Sequence, residues 1–145
     1  MKVLVDSCVW SLALRRTNGT AGLNVDELRL VTILAEAIKD ARVVIVGPVR
    51  QEVLSGIKQT KQFETLLTHL AAFPDAAIES ADYVHAASLD NLCRAAGVQC
   101  GEVDMLLCSI ADRNDWTILT NDNGLIRCIE VVERNSKNKT ILERV

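Results

Sequence analysis

Aromatic residues are scarce: Trp10, Phe63, Phe73, Tyr83 and Trp116 make up 3% of the 145 residues. That is too few for a platform that holds single-stranded nucleic acid by stacking successive bases. Two prolines and seven glycines exclude collagen-like and low-complexity chains. No apolar run approaches the roughly 18 residues of a spanning helix. A strongly basic surface is missing as well. Sixteen Lys and Arg against nineteen Asp and Glu give a net charge of −3, so any nucleic-acid contact has to be local rather than driven by a global field. The charge is uneven, with residues 1–72 at +2 and residues 73–145 at −5.

The five cysteines, Cys8, Cys93, Cys100, Cys108 and Cys128, form no CxxC pair, and their number is odd. They read as small buried hydrophobes of a reduced protein. His69 and His85 are not spaced with them for a zinc site. The opening MKVLVDSCVW carries Asp6 where a secretory segment would be apolar, so the expectation is a cytoplasmic protein.

What is present is an ordinary globular composition, 49% hydrophobic and 24% charged. The length suits one domain over residues 1–145. Val3 to Val5 is a short β-branched run that reads as a buried strand, and Ser7 is placed to cap the helix after it. Residues 15–22 read as a loop. Apolar positions from Asp26 to Ala41 repeat with a helical period. Val43 to Val46 reads as a second strand, broken by Gly47-Pro48, with Pro48 suited to the first turn of a helix ending near Gly56. Further helices are predicted over residues 60–73, Asp82 to Ala96 with Gly97 as its C-terminal stop, and Val103 to Arg113. Trp116 to Thr120 reads as a third strand, and Asn121-Asp122-Asn123-Gly124 as a turn. Short strands are expected over Ala76 to Ile78 and Ile129 to Val132, and a tail frayed in part from Glu133. Apolar strands alternating with helices imply an α/β fold: a mainly parallel sheet covered on both faces.

In such a sheet, ligands bind at the carboxyl ends of the strands. Asp6 follows the first strand, Asp122 follows the Trp116 to Thr120 strand, Glu52 lies in the helix opened by Pro48, and Asp104 lies in the first turn after Gly101. Each alone has an ordinary explanation as a cap, turn former or solvated helix residue. Together they present a conflict, because gathered carboxylates repel and burying each costs several kcal/mol unless it is paired or metal-bound. No lysine stands directly beside any of the four. A hard cation with oxygen ligands, Mg²⁺ or Mn²⁺ rather than Zn²⁺, resolves the conflict.

The same residues carry a family resemblance. Val3-Leu4-Val5-Asp6-Ser7-Cys8-Val9-Trp10 resembles the opening motif of PIN-domain ribonucleases, especially the VapC toxins of type II toxin–antitoxin pairs. Val49-Arg50-Gln51-Glu52-Val53-Leu54-Ser55-Gly56 resembles the second motif. Asp104-Met105-Leu106-Leu107-Cys108-Ser109-Ile110-Ala111 resembles the third, and Leu119-Thr120-Asn121-Asp122-Asn123-Gly124-Leu125 the fourth. The order is right and the resemblance spans nearly the whole chain.

The resemblance implies a three-layer α/β/α PIN-like fold and a metal-dependent endoribonuclease. Asp6, Glu52, Asp104 and Asp122 would be catalytic. Asp6 and Asp104 would be the most direct Mg²⁺ or Mn²⁺ ligands, with Asp122 beside them and Glu52 direct or through water. A VapB-type antitoxin, an RNA substrate and a homodimer are implied as partners. The antitoxin helix is expected in a groove between the Asp26 to Ala41 helix and the Phe63 to Leu70 helix. Ser7, Arg15, Arg16, Arg50 and Asn123 are the candidate substrate contacts, with Lys58 a further cation near Glu52.

Three positions depart from the pattern. Cys8 stands where Ser or Asn is usual, Gly124 replaces the second acid of the fourth motif, and Leu125 replaces its Phe. Glu102, two residues before Asp104, is a candidate for the missing charge, although residues two apart on a helix point different ways. Two other readings compete. A receiver-like or dehalogenase-like phosphotransfer domain also puts Asp at strand ends, but Cys8 stands where the dehalogenase type needs a second Asp. The other is a PIN domain that has lost catalysis and binds RNA or protein.

Overall fold

The computed structural model of the chain describes residues 1–15, 20–136, 140–143 and 145. The described elements run β1 (Val3–Val5), α1 (Ser7–Leu14), α2 (Val25–Lys39), β2 (Val43–Val44), α3 (Gly47–Leu54), α4 (Thr60–Leu70), α5 (Ser80–Ala95), α6 (Glu102–Asn114), β3 (Thr117–Leu119) and α7 (Asn123–Asn135). This is the expected α/β fold with a parallel sheet.

The strands are short because only a few β-branched residues separate each pair of helix signals. Strand order is β2-β1-β3, and both pairings are parallel, with Val3 opposite Val43 and Thr117 and Val5 opposite Leu119. All of β1 and β3 is buried, as expected for a parallel sheet sandwiched by helices. The β1-to-β2 crossover and the later crossover to β3 run to opposite sides of β1. With right-handed crossovers, helices must then cover opposite faces of the sheet. The packing agrees: α1 touches α2 and α3, and α3 touches α4, whereas α5, α6 and α7 pack on one another. The strand order therefore reverses at β1–β3, which opens a crevice beyond the carboxyl ends of those two strands.

Three expectations change. Residues Ile129 to Val132 are helical, inside α7. The buried set Leu125, Cys128, Ile129 and Val132 keeps a helical period, and the short β-branched run is only one stretch of that stripe. Ala76 to Ile78 forms no strand; its region contributes only an isolated bridge between Ile45 and Asp75. The end of the chain is better anchored than expected. Ile141 is buried, and Ile118 N–H donates to the Ile141 carbonyl at 2.7 Å while Glu143 N–H donates to the Ile118 carbonyl at 2.9 Å. The chain end thus extends the sheet beside β3.

Helix ends follow the sequence signals closely. Pro48 sits in the first turn of α3. Gly97, with φ +77°, follows α5 in the left-handed conformation, and Val98 N–H closes back on the Cys93 carbonyl at 2.9 Å. Helix α6 is buried without a break from Met105 to Asp112, so it is the central helix of its layer.

The cysteine reading is corrected in part. Cys93 and Cys108 are buried free thiols and Cys8 is a half-buried one, but Cys100 and Cys128 form a disulfide with Cα atoms 6.2 Å apart. Their separation of 28 residues hid the pairing; the fold of α6 and α7 creates it.

Trp10, wholly buried, stacks at a tilt on Phe73 with ring centroids 5.2 Å apart, and its indole N–H has no acceptor. Trp10→Phe should therefore cost well under the about 3–5 kcal/mol expected of Trp10→Ala, because it removes an unpaired buried donor while keeping most of the packing. Chemical denaturation of the two variants checks this ordering.

Candidate active site

The crevice beyond β1 and β3 collects acidic side chains from four elements. Asp6 is the first residue after β1 and the N-cap of α1. Asp104 lies in the first turn of α6, and Asp122 is the N-cap of α7 directly beyond β3. Glu52 lies in α3, the helix that follows β2. Three of the four thus sit at helix N-termini, where unpaired N–H groups favour negative charge.

Asp6 is the most constrained. It is buried, and its backbone N–H donates to the Leu119 carbonyl at 3.0 Å, stitching the end of β1 to β3. Its Oδ1 accepts from Ser7 N–H at 2.8 Å, and its Oδ2 accepts from the Thr120 hydroxyl at 2.8 Å. Ser7, expected as the cap, gives that role to Asp6. The Ser7 hydroxyl instead donates to Glu52 Oε2 at 2.7 Å and joins α1 to α3 across the site.

Thr120 is the residue sequence reasoning missed. It is buried, its hydroxyl oxygen accepts from Asp122 N–H at 3.0 Å, and its proton goes to Asp6. One side chain therefore holds two of the four acids in register. The signal was available: a hydroxyl residue at a strand end, two before an aspartate.

Three of the acids act on the fourth, Asp104. The carboxyl of Asp104 is pushed up to about 6 by burial first, then by the charges of Asp6, Asp122 and Glu52; a backbone hydrogen bond from Gly101 opposes the rise. Burial and then the Asp6 charge raise the Cys8 thiol, so it stays protonated and donates to Asp6 Oδ2 at 3.4 Å. At Gly124, N–H donates to Asp122 Oδ1 at 2.9 Å, and a Cβ at this position would stand 3.3 Å from that oxygen. The missing side chain lets the Asp122 cap close tightly.

The substrate candidates separate. Asn123 is exposed beside Asp122 at the start of α7. Arg15 caps the far end of α1, about 14 Å along the helix from Asp6. Arg16 lies outside the described residues. Arg50 is corrected: its guanidinium bonds Asp75 Oδ1 at 2.9 Å, the Leu70 carbonyl at 2.9 Å and the Phe73 carbonyl. It fastens the end of α4 to α3 and is not free for a phosphate. Glu102 is exposed at the start of α6.

Residues 3–130 match the family profile of the PIN domain. The chain belongs to the PIN-domain family. PIN domains are generally nucleases and typically use divalent metals. Among solved structures, the fold is similar to the crystal structure of FitAcB from Neisseria gonorrhoeae, with a TM-score of 0.65 and 15% identity over 87% of this chain and 91% of that one. No curated protein sequence matches the chain.

The donor set of this PIN domain suits a hard divalent cation: four carboxylates, a raised Asp104, and no nearby soft ligand in ionised form. Among the described residues, no three His, Cys, Asp or Glu side chains stand close enough to share one ion. To grip one cation together, the carboxylates would have to turn inward.

The titration of Asp104 sets the sign of a pH effect. Its folded-state value of about 6 lies above the ordinary 3.8, so the ionised form is penalised on folding. The penalty is absent below about pH 4 and complete above about pH 6. Asp104→Asn should therefore stabilise the metal-free protein at pH 7.5 by about 1–2 kcal/mol, discounted for partial exposure, and not at pH 3.8. Paired thermal melts at the two pH values measure it. Arg50→Ala should destabilise at every pH by about 2–3 kcal/mol, because it strips partners from two backbone carbonyls.

Proposed function

We propose that this PIN domain is a Mg²⁺- or Mn²⁺-dependent endoribonuclease and the toxin of a toxin–antitoxin pair. The observation that carries the reading is the placement of Asp6, Glu52 and Asp122 around Asp104, whose half-buried carboxyl feels all three charges. Asp6 is buried and Asp104 half-buried among these charges, and such carboxylates are costly unless paired or metal-bound. Family membership supports the nuclease class.

Asp6, Asp104 and Asp122 would hold the cation, with Glu52 direct or through water. When bound, such a cation supplies Lewis acidity toward a phosphodiester. The chain's own residues do the positioning. Thr120 fixes Asp6 and Asp122, and the Ser7 hydroxyl fixes Glu52. The exposed Asn123 would donate to a phosphate or sugar oxygen beside Asp122. Arg15 would meet the strand farther from the acids.

An antitoxin helix has an apolar surface available. Leu28 and Ile38 on α2 and Leu67 on α4 are each about two-fifths exposed, at 39%, 41% and 44%. These two helices pack beside α1 and α3 respectively, and an amphipathic antitoxin helix would cover their exposed apolar residues. Assembly as a homodimer and a cytoplasmic setting belong to the same proposal. No helix among the described residues is long and apolar enough to cross a membrane.

A second reading has its own support. The protonated Cys8, and a cluster in which no three acids among the described residues stand close enough to share one ion, would suit a PIN domain that binds RNA or protein without cutting. The two readings part in one experiment on purified, partner-free protein with total RNA. The nuclease reading expects discrete fragments with Mg²⁺ or Mn²⁺, none with chelator, and at least a ~100-fold loss in Asp6→Asn and in Asp104→Asn. It also expects the metals to raise the melting temperature of the wild type but not of the variants. Wild-type cleavage by either variant would refute it, and a folded wild type that neither cleaves nor responds to metal would favour the binding module.

A further inference from the structure

A cavity of about 490 Å³ lies between the starts of α3 and α6 and one face of α5, with Pro48, Tyr83, Arg94, Cys100, Glu102 and Val103 in its lining, the last two directly before Asp104 in the chain. Cys100 opens onto this cavity, whereas its disulfide partner Cys128 is wholly buried on α7. The bond joins the two segments that deliver two of the acids. Cys100 stands next to Gly101, the N-cap of α6, whose backbone hydrogen bond reaches Asp104. Cys128 lies less than two turns into the helix that Asp122 caps. A third thiol, the buried Cys93, packs against the Cys128 backbone, with its sulfur 4.0 Å from the carbonyl oxygen. Three of the five cysteines thus cluster under one side of the site, and the nuclease chemistry uses none of them.

We propose that Cys100–Cys128 is a redox-controlled site, opened by a small dithiol or glutathione-class thiol entering this cavity, that switches the acidic crevice between a braced and a loosened form. The entering thiolate attacks Cys100 Sγ. The protein S–S bond breaks, and Cys128 leaves as thiolate and takes up a proton. A second thiol then displaces Cys100 from the mixed disulfide, and the reductant departs oxidised. Two electrons and two protons have passed to the protein. With the bond closed, the 98–101 loop is tied to α7 and Gly101 is held against Asp104. With it open, the start of α6 is tied to α7 by packing alone, and the spacing of Asp104 from Asp122 is no longer fixed.

The switch rests on the nuclease reading only for its last step, and the test separates the two. The full chain is equilibrated with glutathione disulfide or with dithiothreitol, and free thiols are counted by alkylation and mass. The count should be three after oxidation and five after reduction. Amide hydrogen exchange over residues 98–104 and 122–128 should speed up on reduction, and metal-dependent RNA cleavage should fall about tenfold and return on reoxidation. Cys100→Ser should resemble the reduced form under both conditions, and Cys128→Ala gives the same readout should the first variant fold poorly. Redox-dependent exchange without cleavage in either state would uphold the switch and reject the nuclease. Five free thiols after oxidation, or exchange and cleavage alike in both states, would overturn the switch and leave the nuclease reading standing.

Discussion

Carboxylates repel one another, and the repulsion grows where water is partly excluded. This chain nevertheless brings four of them to one edge of a small sheet. Most of what is distinctive in the structure serves to hold them there. Parallel strands put β1 and β3 side by side with their carboxyl ends together, and the reversal of strand order at that pair leaves the crevice open. Helices that begin at this edge direct their N–H groups toward the acids. The fold tolerates the arrangement because Asp6 and Asp122 have local donors in Thr120, Ser7 N–H and Gly124 N–H. Asp104 has the least support, and its titration is raised by burial first and then by the charges of the other three.

The two layers contribute differently. On one face, α1 and α3 are joined at the site by Ser7 and Glu52, and Arg50 fastens α3 to the end of α4. On the other, α6 is buried along most of its length and α7 lies against it, with α5 outside both. The disulfide spans from the loop before α6 to α7, so the acids of this second layer rest on a covalent brace rather than on hydrogen bonds between them. A disulfide is unusual in a reducing compartment, which makes the oxidation state of this pair informative about where the protein works.

Much of this was legible in the residues. β1 and β3 announce themselves as apolar runs ended by polar residues, Pro48 and Gly97 mark helix boundaries, and the four acids stand at strand ends or in the helices that follow them. The failures have a common cause. Ile129 to Val132 looks like a strand in isolation and is helical because its partners are Leu125 and Cys128 on the same stripe. Arg50 looks like a phosphate contact beside Glu52 and is instead satisfied by carbonyls 20 and 23 residues away. The Cys100–Cys128 bond and the double role of Thr120 likewise depend on contacts between distant segments, which no local pattern encodes.

The central claim is that the four acids form one electrostatically coupled group rather than four separate caps. The direct measurement is an NMR titration of the Asp104 side-chain carboxyl in the metal-free wild type and in Asp122→Asn. The account predicts a midpoint of about 6 in the wild type, lowered when the Asp122 charge is removed and lowered far more when Mg²⁺ or Mn²⁺ is added. A midpoint near the ordinary aspartate value, unmoved by either change, would contradict it.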